Sequence, residues 1–306
     1  MGFVDFNGFD RFGFPDGIVR VTSGFGGEAL LIIGSRKTAL LDCGMAYCAD
    51  KLAENIKREL GEKEIDYILI SHTHYDHIGA LPFVKQVWPN AITVGSEHAQ
   101  NVFNRQGAIN TINSLSKNAW DTYGRAGDFI IPESGFTIDK IVYDGDKISI
   151  GDEQIRVIET KGHTDCSLTF VLEPLSIMFL SESTGVLEGP EKAHVSILKS
   201  YKDTLVSVEK CRSYGARHMV SSHYGLIPEY YNERYWELFL FTVEEYRKFL
   251  FGLFRQGLPD DEILKKYEEM RRGRITNKEQ PTKAFLLNAL NVIKVFKKEY
   301  EEAGGL

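Results

Sequence analysis

Positions 72 to 77 read His-Thr-His-Tyr-Asp-His. Four of these six side chains, His72, His74, Asp76 and His77, can offer a lone pair to a cation. Imidazole is the commonest side-chain ligand for zinc, iron, cobalt or copper near neutral pH. A regular helix cannot aim positions 72, 74, 76 and 77 at one point, because they spread round its axis. A loop at the end of a strand can, and the apolar run Asp66–Ile70 just before the cluster reads as that strand. One histidine on such a turn is ordinarily a solvated residue; three with an aspartate at this density point to metal.

Further candidates recur at the same topological place. His163, in Lys-Gly-His-Thr-Asp, follows a strand ending near Thr160, and His223, in Ser-Ser-His-Tyr-Gly, follows a strand ending near Ser221. Glu182 follows the apolar run ending at Leu180. Asp165 is expected to hydrogen-bond a ligand or cap a turn rather than to ligate. Cys166 reads as a small buried residue, not a nucleophile, and no Gly-x-Ser-x-Gly elbow is present. The expected nucleophile is therefore water: a divalent ion lowers the pKa of bound water from about 15.7 to about 7 and so makes hydroxide available at neutral pH. Tyr224, beside His223, is a candidate hydrogen-bond donor to an oxyanion.

The elements that must position these groups alternate. Ile18–Thr22, Glu28–Gly34 and Thr38–Asp42 read as strands, Ala49–Leu60 as a helix, Leu81–Trp88 as a helix and Ala91–Val94 as a strand. Residues 98–135 look irregular, with Gly107, Gly124, Gly127 and Gly135 interrupting helical stretches. Strands are expected again at Lys147–Ile150, Gln154–Thr160, Ser167–Leu172, Ile177–Leu180 and His218–Ser221, with a helix at Tyr201–Tyr214. After about residue 230 only helices are expected: Tyr235–Phe254, Asp260–Arg271 and Thr282–Tyr300. The first of these carries more than one apolar stripe, including Phe239, Phe241, Phe249 and Phe251, and so packs on the body and on its own tail or a second subunit. A homodimer is one expectation, and an acyl or aromatic substrate is another.

Hydrophobic residues make up 43% of the 306 and charged residues 26%, an ordinary globular balance, with net charge −7. The acidic excess lies in the body before residue 230, which disfavours nucleic acid. The four cysteines show no paired spacing for a disulfide framework or thiolate zinc site. The N-terminal run MGFVDFNGFDRFGFPDG lacks the layout of a signal peptide, and no apolar run approaches a membrane span. A cytoplasmic protein acting on a small molecule is expected, without a membrane partner.

The HxHxDH run, the later Gly-His-Thr, the strand-end carboxylate and the final His-x-Gly together resemble the metallo-β-lactamase superfamily over roughly residues 18–228. The helical tail is similar to the glyoxalase-II-like branch and to the quinolone-signal-response thioesterase. The resemblance implies an α/β (α+β) fold, a four-layer αββα sandwich over residues 1–229, and an all-helical extension over 230–306 that covers the site or dimerises. It implies two divalent transition-metal ions, Zn or Fe/Mn. His72, His74 and His163 would bind the first, Asp76, His77 and His223 the second, and Glu182 would bridge them, with Asp76 also orienting the nucleophile. The family usually carries Asp where this chain has Glu182. The extra methylene moves the carboxylate by about one bond length, while a metal–oxygen bond of ~2.0–2.2 Å tolerates little misplacement. Glu182 can therefore bridge, bind one ion or swing away, and the second metal depends on which. The expected activity is hydrolysis of a thioester or ester by metal-bound hydroxide. The alternatives are an iron-dependent dioxygenase or oxidoreductase of the same fold, and a regulatory protein with weak hydrolase activity.

Overall fold

The computed structural model describes residues 13–123, 127–132, 135–272 and 280–305; the N-terminal run read above falls largely outside them, as does Gly124. The first sheet contains β1 (Ile18–Arg20), β2 (Leu30–Ile33), β3 (Thr38–Leu41), β4 (Tyr67–Leu69), β5 (Ile92–Gly95) and β6 (Lys140–Ile141), in that spatial order. β1, β2 and β3 pair antiparallel; β3, β4, β5 and β6 run parallel. Parallel neighbours need crossovers. These are supplied by α1 (Ala49–Leu60) between β3 and β4, and by α2 (Tyr75–Ile78) and α3 (Leu81–Val87) between β4 and β5. Every residue of β3 and β4 is buried, as expected of strands covered on both faces.

Residues 98–135 are more regular than expected. They hold most of α4 (Glu97–Phe103) and all of α5 (Gln106–Thr122). Gly107 lies in the first turn of α5, where its backbone freedom interrupts little. Ser96 caps α4 by accepting from the Ala99 amide.

The second sheet contains β7 (Lys147–Ser149), β8 (Gln154–Glu159), β9 (Leu168–Glu173), β10 (Ile177–Phe179), β13 (His218–Ser221) and β14 (Gly225–Ile227), in the spatial order β14-β13-β10-β9-β8-β7. A separate hairpin, β11 (Val186–Gly189) and β12 (Lys192–His194), leaves this sheet after β10. α6 (Tyr201–Tyr214) then crosses back to β13, which pairs parallel to β10. Past a 3-10 turn at Glu229–Tyr231, where the sequence division at 229/230 falls, come α7 (Asn232–Arg255), α8 (Asp260–Arg272) and α9 (Thr282–Glu302).

Three apolar layers bind these parts into an αββα sandwich. Ile32, Leu41 and Leu69 of the first sheet meet Val157, Phe170 and Phe179 of the second between the two sheets. Leu31, Leu40 and Ile68 face the other way, onto Leu52 and Ile56 of α1 and Leu81 and Val84. Val171, Met178 and Met219 pack beneath α6 and the extension, with Tyr235, Phe239, Leu250 and Phe296 in the same cluster. The extension thus shares a core with the second sheet. Gly185 marks how close they come: its φ is +86°, and a Cβ there would overlap the Phe239 ring. Of the four aromatic residues singled out in the tail, Phe239 and Phe251 are buried, Phe249 is half-buried and Phe241 is exposed.

Candidate metal centre

Strand ends converge where the two sheets meet. His72 lies three residues beyond β4; His74 is the residue before α2, and Asp76 and His77 lie inside that single turn. His163 follows β8, Glu182 opens a 3-10 turn after β10, and His223 sits in the tight turn between β13 and β14. Tyr224 in that turn has φ +63°, and Asp42, just past β3, has φ +52°. Two side-chain-bearing residues held in the left-handed region beside one cluster mark a place where the fold imposes its geometry.

The cluster divides in two. Donor atoms of His72, His74 and His163 lie within 4.8 Å of one another, and so do those of Asp76, His77, Glu182 and His223. Glu182 stands between the sets. Its Oε1 is 2.9 Å from His77 Nε2, 3.2 Å from His223 Nε2 and 3.6 Å from His72 Nε2, while its Oε2 is 3.5 Å from His163 Nε2. His74 Nδ1 lies 2.9 Å from His163 Nε2, and Asp76 Oδ2 lies 3.9 Å from His223 Nε2.

The far side of several rings is anchored. His77 Nδ1 lies 2.9 Å from Asp42 Oδ2, His163 Nδ1 2.7 Å from the Ser196 carbonyl, and His72 Nδ1 3.0 Å from Ser71 Oγ. The Ser71 amide donates to Asp42 Oδ1, so one carboxylate orders two neighbours. Such outer contacts fix which nitrogen faces inward. Gly27 fits the arrangement: a Cβ there would overlap the His77 ring.

Electrostatics separates the two sets. Burial, then the neighbouring imidazoles His77, His74 and His163, pushes His72 well below its usual range; burial and His163 push His74 down to about 3. Both are neutral lone-pair donors at neutral pH. Burial opposes charge on His77 as well, but hydrogen bonds to Asp42 and Glu182 outweigh it and hold the ring well above the usual value. His223 is raised against burial by Glu182. Burial works to raise Glu182, yet His163, His223 and His77 together hold it well below the carboxylate range. A buried anion of this kind requires positive charge beside it.

The residues fit a pair of divalent cations. His72 Nε2 is fully buried and makes no hydrogen bond among the described residues, a costly state for a polar atom. A cation shared with His74 and His163 would give that lone pair a partner. The donor set is imidazole and carboxylate without thiolate, which suits zinc, iron or manganese.

Asp165 lies apart: its carboxylate is 3.8 Å from His98 Nε2 and 3.8 Å from Lys199 Nζ. Cys166 is buried, with its sulfur beside the Thr73 and Thr164 hydroxyls. A cavity opens over the second set, lined by Asp76, Glu182, His223 and Tyr224 from the body, by His194 of β12, and by Arg271, Arg272, Phe285 and Asn288 from the extension. Phe285, rather than any of the four tail aromatics singled out by sequence, is the tail's aromatic wall residue. Sequence reasoning also passed over Asp42, although a carboxylate directly after Thr-Ala-Leu-Leu was the same strand-end signal that singled out Glu182.

The family model for the metallo-beta-lactamase superfamily matches residues 23–223, which hold both donor sets and their anchors. The chain belongs to that superfamily. Within it, the chain is 29% identical over 196 residues to Glyoxylase B2 of Dictyostelium discoideum, covering 59% of this chain and 61% of that protein. The chain thus matches about three-fifths of the length of this relative. Among solved structures, TTHA1429, a metallo-beta-lactamase family protein from Thermus thermophilus, superposes with a TM-score of 0.61 at 18% identity, covering 95% of each chain. The superfamily protein ST1585 from Sulfolobus tokodaii gives 0.58 at 17% identity, over 93% of this chain and all of that one. At such identities the superpositions speak for the superfamily fold.

Proposed function

We propose that this protein is a metal-dependent hydrolase acting on a thioester or ester. One observation carries the reading: the Glu182 carboxylate lies between two sets of imidazole and carboxylate donors, at the floor of a cavity that the helical tail walls. His72, His74 and His163 would hold one divalent cation and Asp76, His77 and His223 the other, with Glu182 facing both. Such cations, when bound, supply Lewis acidity and acidify water at neutral pH.

The chain's own groups do the rest. Asp76 sets a carboxylate on the cavity wall near His223, where it can accept a hydrogen bond from a water, and Asp42 keeps the His77 ring from turning. Tyr224 stands beside His223 on the cavity wall, with ring centroids 6.1 Å apart, where its hydroxyl can serve a developing oxyanion. The wall combines apolar Met45, Val186 and Phe285 with cationic Arg271 and Arg272. That mixture suits an acyl compound with an apolar portion and acceptor oxygens. The acidic body disfavours a long polyanion. The thioester preference rests on the tail's resemblance and on the likeness to Glyoxylase B2.

The test is a panel of acyl thioesters, carboxylic esters and lactones offered to protein loaded with zinc, manganese or iron(II). Turnover of thioesters or esters that His74→Ala abolishes is the expected result. Oxygen uptake with a persulfide and no hydrolysis would replace this reading with the iron dioxygenase.

A further inference from the structure

The hairpin that follows Glu182 carries a second polar cluster. Glu188 lies on β11, His194 on β12, and Arg271 in the last turn of α8. The Arg271 side chain is 8% exposed, with one guanidinium nitrogen 3.2 Å from Glu188 Oε1 and the guanidinium 5.9 Å from the centre of the Tyr246 ring. That same nitrogen donates to His194 Nδ1. His194 is half-buried, and its ring lines the cavity with Glu182, His223 and Tyr224.

The chemistry of this contact fixes a proton. Arginine has only N–H donors and does not deprotonate in proteins. A ring nitrogen bonded to it must be a bare acceptor, so His194 Nδ1 carries no hydrogen and a neutral ring bears its proton on Nε2. Burial, then the Arg271 charge, pushes His194 down to about 3, against the opposing pull of Glu188 and Glu182 and with a smaller push from His223. The ring is therefore neutral at working pH. Arg271 also lines the cavity, and its buried Nε makes no hydrogen bond among the described residues.

We propose that His194, clamped by Arg271 with its proton on Nε2, is a hydrogen-bond donor in the cavity to a substrate oxygen that carries or develops negative charge. Arg271 is the positioning residue, and through it the helical extension sets the polarity of a group on the catalytic body. A neutral imidazole suits this task, because it donates without offering a proton strong enough to be lost to the oxyanion. The donor role rests on the hydrolase reading; the tautomer does not.

The experiment uses the full chain, loaded with zinc and labelled with 15N in histidine. Long-range proton–nitrogen correlation at pH 7.5 reports each ring nitrogen, with His194→Gln identifying the His194 signals. The expected spectrum shows His194 Nε2 protonated and Nδ1 bare, and Arg271→Met converts it to a mixture of tautomers. Inorganic phosphate, a tetrahedral oxyanion, is then titrated and should move the Nε2–H signal. His194→Phe should bind phosphate about tenfold more weakly, while His194→Gln, which keeps an N–H donor, should stay within about threefold of wild type. A proton on Nδ1 in the wild type, or a doubly protonated ring, overturns the clamp. No phosphate binding, or equal affinity in His194→Phe, overturns the donor role. The expected tautomer and phosphate results without any ester or thioester turnover would remove the hydrolase reading alone.

Discussion

Glu182 Oε1 sits 2.9 Å from His77 Nε2 while Oε2 of the same carboxylate sits 3.5 Å from His163 Nε2. The side chain reaches both donor sets at once. Glu182 opens a 3-10 turn, and from there its carboxylate faces both sets.

Shortening this side chain should hurt rather than help. Glu182→Asp withdraws the carboxylate by about one bond length and is expected to retain less metal than wild type. Glu182→Gln, which keeps the length and loses the charge, should weaken retention by at least about tenfold. Competition with a chromogenic chelator measures both. An aspartate variant holding more metal than wild type would show that glutamate is the poorer ligand here.

Asp42 touches no cavity wall beside the tail, yet it accepts from the Ser71 amide and hydroxyl and faces His77 Nδ1. Asp42→Asn should cost about 10–100-fold in metal affinity with the fold retained. The chelator assay, run beside circular dichroism, separates loss of metal from loss of structure.

Gly27→Ala places a methyl group on the His77 ring. The ring is fully buried and cannot yield freely, so destabilisation of about 1–3 kcal/mol is expected from overpacking. Weaker metal binding should accompany it. Urea unfolding with and without chelator reads the two effects separately.

Away from the site, Lys147, Arg156 and Tyr214 surround Glu173 and hold its carboxyl down at about 2. A carboxylate whose folded-state pKa is depressed stabilises the fold above its unfolded value, near 4.5, and that contribution disappears as pH falls toward 2. Glu173→Gln should lose about 1 kcal/mol at pH 7, an amount discounted for solvent screening. The gap from wild type should narrow below pH 4. Urea unfolding across pH 3 to 7 checks this, and a gap that widens on acidification would give the wrong sign.

Most of the helices and paired strands were legible because each follows from local pattern, while α4 and α5 were not, since the glycines scattered over residues 98–135 broke up the pattern. α1 and α6 run over Ala49–Leu60 and Tyr201–Tyr214, the bounds read from the sequence. Five of the seven candidate ligands, His72, His74, His163, Glu182 and His223, were legible because each stands past a strand end beside Gly, Thr or Ser, and Asp76 and His77, inside α2, because they crowd against His72 and His74 in sequence. What escaped was set by partners distant in sequence. Nothing around Glu188, His194 or Arg271 marks any of them singly; their meaning arises only when the last turn of α8 docks on the β11–β12 hairpin. That hairpin is short and mixed in polarity, and the two-residue β6 carries no periodicity to read.

Two separate cation positions are the central claim, and metal counting by mass spectrometry tests it most directly. The wild type, His163→Ala and His223→Ala should each be loaded with zinc and freed of weakly held metal on a desalting column. About two equivalents per chain in the wild type, and about one in each variant, is the predicted result, since His163 and His223 belong to different donor sets. One equivalent or less in the wild type, or complete loss in either single variant, would contradict it.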